Sequence, residues 1–287
     1  MFSDMSRKRI LGVAAVITLV VCSVVFSLAE VLMPEASGKK VLKKDKLYVD
    51  ASHADEGYVM VKPPKTKTKM KFTVETGGTK LQYDIDGTKQ TDKVNGKEVQ
   101  HYEVIPLQLG RTNYTLTLWK QVDGKKYGKI GQVKVAANME DELRCFLYPN
   151  QYVNYTAETA CVVEACKICE GMTDQAQIFD TVKKFILKNF QYDFIKSVTV
   201  AGSSGMLPNI DECWEKRMGI CQDLSAVTCA MLRSQGVPAR LIIGQLGSGT
   251  VHAWVLAVVN GEDVFFDPTA ELNASNKSET YTTLRWY

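Results

Sequence analysis

The stretch GICQDLSAVTCAMLRSQGVPARLIIGQ, residues 219–245, carries the signals that decide the fold of this chain. Gly219 predicts a sharp turn into a helix that begins at Cys221. Gly236 ends that helix, because glycine is favoured just past a helix C-terminus, and the proline two residues later prevents continuation. Residues 240–243 then form a strand. The pattern indicates a helix that packs against a sheet, with a cysteine in the first turn.

A cysteine in that position is a candidate nucleophile. The first turn of a helix offers free backbone N–H groups and the positive end of the helix dipole, and both favour the thiolate. The same N–H groups can face an oxyanion that develops on a substrate carbonyl. A lone cysteine is more often a small hydrophobic residue, so the hypothesis for Cys221 depends on what accompanies it.

The second half of the chain has one histidine, His252, at the start of the apolar run 251–259. Asn260-Gly261 follows and is a strong hairpin signal. The returning strand ends at Asp267. Counted outward from the turn, His252 pairs roughly with Thr269, which leaves Asp267 about two residues away. A bulge or bend at Pro268 would bring that carboxylate to the imidazole, where it can orient the ring.

These motifs carry a family resemblance. Residues 144–272 resemble the transglutaminase-like superfamily in its bacterial surface-protein branch, through Gly219-Ile220-Cys221, LRSQGVPAR at 232–240, His252-Ala253-Trp254 and Phe266-Asp267-Pro268-Thr269. The resemblance implies Cys221 as nucleophile, His252 as general base and Asp267 as orienting carboxylate. It also implies an α+β fold: a papain-like core with the cysteine helix packed on an antiparallel sheet, at 144–287. No cofactor and no metal are expected.

The first half of the chain has the period of two that is typical of strands. Lysines alternate with less polar residues over 65–72, and turn dipeptides such as Asp123-Gly124 separate similar runs. We therefore predict a β-sandwich-like domain at 48–140, preceded by a lysine-rich linker at 30–47. The alternating lysines either contact an anionic polymer such as a cell-wall glycan or keep an edge strand soluble.

The N-terminus predicts export. Residues 10–29 carry no charge and follow three cations, so 1–29 is either a cleaved signal peptide or an N-terminal membrane anchor. The positive-inside rule then leaves residues 30–287 outside. We expect an extracellular protein, secreted or anchored to the outer face of the cytoplasmic membrane.

Six further cysteines follow the leader, and an exported protein can pair them or leave them reduced. These six cysteines are Cys145, Cys161, Cys166, Cys169, Cys213 and Cys229. The sequence does not determine which of them pair. We expect Cys229 to serve in packing, since it lies in the middle of the helix. Tyr192 and Trp214 are either side-chain oxyanion donors or core aromatics.

Two functions compete. The chain's net charge is +3, partly supplied by the leader, which argues against a nucleic-acid partner. The first hypothesis is an extracellular cysteine enzyme that acts through an acyl-thioester on the amides of proteins or peptides, including cell-wall-associated ones. The thioester then passes to water, as in a protease or amidase, or to an amine, as in an acyl transferase. The alternative is a non-catalytic surface binding or scaffold module that keeps the fold.

Overall fold

The computed structural model describes residues 31–94, 96–200, 206–273 and 279–287. The predicted signal peptide or anchor lies outside these residues. Within the described ranges, no helix combines the length and apolarity that a membrane crossing requires.

The first half folds into antiparallel sheets. Its strands are β1 (Val41–Lys44), β2 (Leu47–Asp50), β3 (Tyr58–Lys62), β4 (Met70–Thr76), β5 (Thr79–Ile85), β6 (Thr91–Val94), β7 (Lys97–Gln100), β8 (Glu103–Pro106), β9 (Thr112–Asp123) and β10 (Lys126–Ala137). One sheet has the order β1-β2-β3-β8, and another has the order β10-β9-β4-β5. Strands β6 and β7 form a separate hairpin. Short 3-10 helices occur at Ala54–Glu56 and Arg144–Leu147.

Alternation explains these strands. In β4, Met70, Phe72 and Val74 are buried while Lys71 is partly exposed, as the two-residue period requires. The dipeptide Asp123-Gly124 stands between β9 and β10, as predicted. The inward residues of both sheets belong to one apolar core.

The predicted linker at 30–47 is wrong in part, because β1 lies within it and pairs with β2. Lys43 and Lys44 are exposed, whereas Val41 and Leu42 are half-buried. β1 is at the edge of its sheet, where lysine is well tolerated. A lysine-rich composition therefore did not distinguish an edge strand from a solvated linker.

The second half is an α+β core. Its helices are α1 (Ala160–Ile168), α2 (Gln175–Asn189), α3 (Phe194–Thr199), α4 (Ile210–Lys216), α5 (Cys221–Ser234) and α6 (Pro268–Leu272). Its strands are β11 (Gln191–Tyr192), β12 (Met218–Gly219), β13 (Ala239–Leu246), β14 (Val251–Val259), β15 (Glu262–Phe266) and β16 (Tyr281–Trp286). The sheet order β15-β14-β13-β16 is antiparallel throughout. Helix α5 packs on β13 and β14, so the predicted cysteine helix on an antiparallel sheet is present.

Two helices of the second half, α3 and α4, have no clear signal in the sequence. Both helices are short, six and seven residues, too short to show a clear helical period. The N-cap of α2 is Asp174, whose side chain accepts hydrogen bonds from the N–H groups of Ala176 and Gln177.

The two halves share contacts across one core. The ring of Tyr287 stacks on Tyr152 with centroids 3.5 Å apart and lies 5.5 Å from the ring of Tyr83. The buried guanidinium of Arg233 donates to the carbonyl oxygens of Ala239, Tyr148 and Tyr287, each at 2.8 Å. The division into domains at 48–140 and 144–287 stays a prediction.

Candidate active site

Cys221 is the first residue of α5, as predicted, and is half-buried. The N-cap residue, Ile220, has an extended backbone with φ −85° and ψ 176°. The chain therefore turns abruptly into the helix at the cysteine. The thiol lies at the helix N-terminus, where unpaired N–H groups and the helix dipole favour negative charge.

Gly219 makes this sharp turn possible. A Cβ atom at this position would lie 2.6 Å from Sγ of Cys213 and 2.8 Å from Cβ of Asp223. The backbone N–H of Asp193 donates to the carbonyl oxygen of Gly219 at 3.0 Å. The segment before Cys221 is thus packed closely on α4, α5 and β11, and glycine is required for that approach.

Asp223 holds the first turn of α5 in place. Its side chain is fully buried. One carboxylate oxygen, Oδ2, accepts from the N–H of Ile220 at 3.1 Å and lies 2.8 Å from Nζ of Lys196 in α3. The other, Oδ1, accepts from the N–H of Asn209, just before α4, at 3.1 Å. Sequence analysis missed this residue, although an acidic residue in the third helical position is a known capping signal.

The hairpin that carries His252 and Asp267 has the predicted register. Asn260 and Gly261 form the turn with φ of 52° and 86°, and Val259 pairs with Glu262. Pairing stops at Phe266, and Asp267 becomes the N-cap of α6.

Asp267 brings its two carboxylate oxygens to different partners. Oδ1 accepts from the N–H of Ala270 at 3.0 Å, which caps α6. Oδ2 lies 2.7 Å from Nε2 of His252. The predicted carboxylate and imidazole are therefore brought together, and Nδ1 is the ring nitrogen that remains for the thiol.

Tyr281 is a further partner that sequence analysis missed. Its hydroxyl donates to Oδ2 of Asp267 at 2.9 Å. The rings of Trp254 and Phe265 hold the tyrosine, with centroids 5.0 Å and 4.9 Å from its own. Tyr281 begins β16, which pairs with β13. The alternation in that strand is weak, and no nearby turn dipeptide marked it.

The electrostatics of His252 favour its protonated form. Burial lowers its pKa, but the hydrogen bonds to Asp267 and to Cys221, with the charges of both, outweigh burial and raise the pKa of His252 to about 9. Burial raises the pKa of Asp267, but the hydrogen bond and charge of His252 lower it more, so the net shift is downward. These directions are those of an imidazolium–carboxylate pair.

The two aromatic candidates have different surroundings. Trp214 is a packing residue: the guanidinium of Arg217 lies 3.6 Å from its ring centroid, and Phe185 stacks on it. Tyr192 lines a cavity of ≈ 410 Å³ together with Phe194 and Leu272. Burial raises the pKa of Tyr192, and the charge of Cys221 adds to the rise.

The six other cysteines within the described residues are buried free thiols. Burial raises the pKa of Cys229, Cys145 and Cys161 to about 12 in each case. Neutral thiols are weak nucleophiles. Cys221 is only half-buried, which sets it apart from these three.

Comparison with known proteins gives a family match for part of the chain. Residues 165–268 match the family described as Transglutaminase-like superfamily. The match is confined to that segment, which contains Cys221, His252 and Asp267.

The similar proteins are distant. An uncharacterized protein of Mycobacterium leprae is 30% identical over 96 residues, which are 30% of this chain and 32% of that protein. The match thus spans about a third of that relative's length. A candidate cysteine protease of Cytophaga hutchinsonii aligns at 14% identity and a TM-score of 0.38, covering 78% of this chain and 80% of its own. The periplasmic domain of TgpA from Pseudomonas aeruginosa aligns at 12% identity and a TM-score of 0.36. That alignment covers 72% of this chain and 91% of the TgpA domain.

Proposed function

We propose that the chain is an extracellular cysteine enzyme that cleaves or transfers protein or peptide acyl groups. Cys221 is the nucleophile, His252 the general acid and base, and Asp267 the residue that orients the imidazole. The observation that carries the proposal is the 2.7 Å contact of His252 Nε2 with Asp267, on an imidazole whose pKa Cys221 helps to raise.

The reaction follows from these positions. The thiolate of Cys221 attacks the amide carbonyl carbon, and the negative charge moves to the carbonyl oxygen, where N–H groups of the α5 N-terminus stabilise it. The C–N bond then breaks as His252 gives its proton to the leaving amine. The product is an acyl-thioester on Cys221 and a neutral imidazole.

The second half-reaction releases the acyl group. Neutral His252 takes a proton from water or from an amine as that nucleophile attacks the thioester. The thiolate leaves, and the imidazolium is restored. Water gives a carboxylic acid, as in a protease or amidase, and a lysine amine gives a new amide, as in a transferase. Water needs no second binding site, so we place hydrolysis first.

The proposed location is outside the cell, supported by the uncharged run at 10–29 after three cations. Protease added to intact cells should digest the exposed chain. A control must show that the protease passes the cell boundary and reaches the outer face of the cytoplasmic membrane. Full protection would contradict the proposed location.

The test of the enzyme is to trap the acyl-enzyme from a peptide library and identify it by mass spectrometry. The adduct should be on Cys221 and should be absent from Cys221→Ala. Cys229→Ala is the matched control, because it removes a thiol from the same helix and should still form the adduct. Adding a primary amine then separates hydrolysis from transfer by the product formed.

The alternative, a surface module without catalysis, makes a different prediction for the thiol. In that case Cys221 would react with iodoacetamide no faster than a free thiol, and His252→Ala would not slow the reaction. An enzyme requires fast labelling of Cys221 that His252→Ala slows.

A further inference from the structure

A cavity of ≈ 430 Å³ lies between the two larger sheets of the first half. The turn between β1 and β2 lines one side, and β9 and β10 line the other. The charged residues that line it are Lys44, Asp45, Lys46, Lys120 and Lys129. We call Lys44, Lys46, Lys120 and Lys129 the lysine cleft.

The backbone around the lysine cleft is tightly fitted. β10 has a bulge between Lys129 and Gly131, and the N–H of Lys46 donates to the carbonyl oxygen of Ile130 in that bulge at 3.3 Å. A Cβ atom on Gly131 would lie 2.5 Å from Cβ of Leu47. The turn therefore rests directly on the bulge, and the fold itself brings lysines of two sheets to one cavity.

The charge in the lysine cleft is unbalanced. Four lysines and one aspartate give this cavity a net +3, as large as the net charge of the whole chain. None of the four lysines forms an ion pair with any residue that the structure describes. Other lysines do, as Lys80 with Glu75 and Lys183 with Glu271, both at 2.7 Å. Gathering like charges without counter-charges costs free energy, and such local conflicts tend to mark functional sites.

We propose that the lysine cleft binds a linear polyanion whose repeating units carry phosphate or carboxylate groups. Lysine presents a compact ammonium charge on a flexible stem, which suits successive anionic groups along a polymer. A single-stranded nucleic acid is the less favoured ligand, because its binding relies on aromatic stacking and the residues described as lining the cleft include no aromatic side chain. The proposal concerns the first half and does not depend on Cys221.

The experiment compares two variants of the full chain with equal charge change. One replaces the lysine cleft: Lys44→Ala, Lys46→Ala, Lys120→Ala and Lys129→Ala. The control replaces four exposed lysines elsewhere: Lys65→Ala, Lys67→Ala, Lys184→Ala and Lys188→Ala. Calorimetry measures the binding of short-chain polyphosphate, polyglutamate and single-stranded DNA, each at low and at physiological salt.

We expect the wild type to bind polyphosphate or polyglutamate, and the polymer that binds names the anionic group. The cleft variant should lose about tenfold or more in affinity and the control less than about twofold, since each exposed pair contributes modestly. Salt should weaken binding by screening. The unfolding temperature of the cleft variant should not fall, because the substitutions relieve repulsion.

Three results would overturn the proposal. Equal losses in both variants would mean that only overall charge matters. If the wild type bound neither polyphosphate nor polyglutamate, the proposed class of ligand would be wrong. Tighter binding of single-stranded DNA than of both polymers would assign the cleft to nucleic acid instead.

Discussion

The hydroxyl of Tyr281 and the imidazole of His252 share one oxygen of Asp267, at 2.9 Å and 2.7 Å. The tyrosine thus takes up part of the carboxylate charge that would otherwise act on the imidazole. It also fixes the carboxylate, because the aromatic rings of Trp254 and Phe265 hold it in place. We regard Tyr281 as a positioning residue.

Tyr281→Phe should remove this hydrogen bond and keep the ring. The more basic carboxylate then raises the pKa of His252 further, so the alkaline limb of the amide turnover profile should move to higher pH. The turnover rate should fall modestly, by about three- to tenfold, as expected for loss of one hydrogen bond of roughly 1 kcal/mol. The measurement is kcat/KM against pH.

Phe265→Leu is the control for Tyr281→Phe. It loosens the aromatic contacts and leaves the hydrogen bond to Asp267 in place, so the alkaline limb should not move. An identical shift in both variants would assign the effect to packing.

The raised pKa of His252, about 9, predicts how turnover depends on pH. In the proposed reaction His252 must be protonated to supply the leaving amine, so amide turnover should fall as the pH rises through about 9. Alkylation of Cys221 by iodoacetamide needs only the thiolate and should not fall there. Parallel losses of turnover and alkylation would show that the structure, not the proton on His252, is lost.

The same two shifts predict the pH dependence of stability. The contribution of protonated His252 is fully present below its ordinary pKa of 6.5 and is lost as the pH rises through about 9. The contribution of ionised Asp267 is present above its ordinary pKa of 3.8 and is lost as the pH falls through its lowered pKa. Denaturant unfolding at a series of pH values measures both limbs, and His252→Ala should lack the alkaline one.

At the scale of elements, the pair of Asp223 and Lys196 joins α3 to α5, the helix that begins at Cys221. Removing the cation leaves a buried carboxylate with only backbone N–H partners. Lys196→Met should therefore lower the free energy of unfolding by about 1–3 kcal/mol and increase proteolysis near α3. Chemical denaturation and limited proteolysis measure the two effects.

Lys216→Met provides the comparison for Lys196→Met. Lys216 pairs with Glu212 at 2.6 Å, but its side chain is 59% exposed, and exposed pairs contribute less than about 1 kcal/mol. The two variants remove the same charge from neighbouring helices. If Lys216→Met lowered the free energy of unfolding as much as Lys196→Met, the burial of Asp223 would not be the cause of the effect.

For the whole molecule, the contacts of Arg233 predict cooperative unfolding. Its buried guanidinium bonds three carbonyl oxygens, one of them in the segment that links the two halves. We expect a single unfolding transition for both halves. Arg233→Met should lower the free energy of unfolding by about 3 kcal/mol or more, because three buried acceptors lose their donor.

Tryptophan fluorescence and circular dichroism should report the same transition midpoint in denaturant. Arg240→Met is the comparison, since Arg240 makes a 3.4 Å contact with the exposed Asp263. Separate midpoints for the two halves would contradict cooperative unfolding and would favour independent domains at 48–140 and 144–287.

Local signals explain which parts of the molecule the sequence could predict. The Asn260-Gly261 turn sets a hairpin register in which His252 and Asp267 fall close together, so neighbouring residues sufficed. Tyr281 and Lys196 reach the site through long-range packing of a weakly alternating strand and a six-residue helix. Neither element is long enough to show a recognisable hydrophobic period. Strand β1 was not recognised because its lysines, which an edge strand tolerates, are also typical of a linker.

The double use of Asp267 has a consequence for heat inactivation. The carboxylate that orients His252 also begins α6, a helix of five residues. A helix this short frays easily, and fraying frees the carboxylate from its place before the core opens. The temperature at which turnover is lost should therefore lie below the temperature of global unfolding. Loss of turnover on heating would then report the melting of a single helical turn.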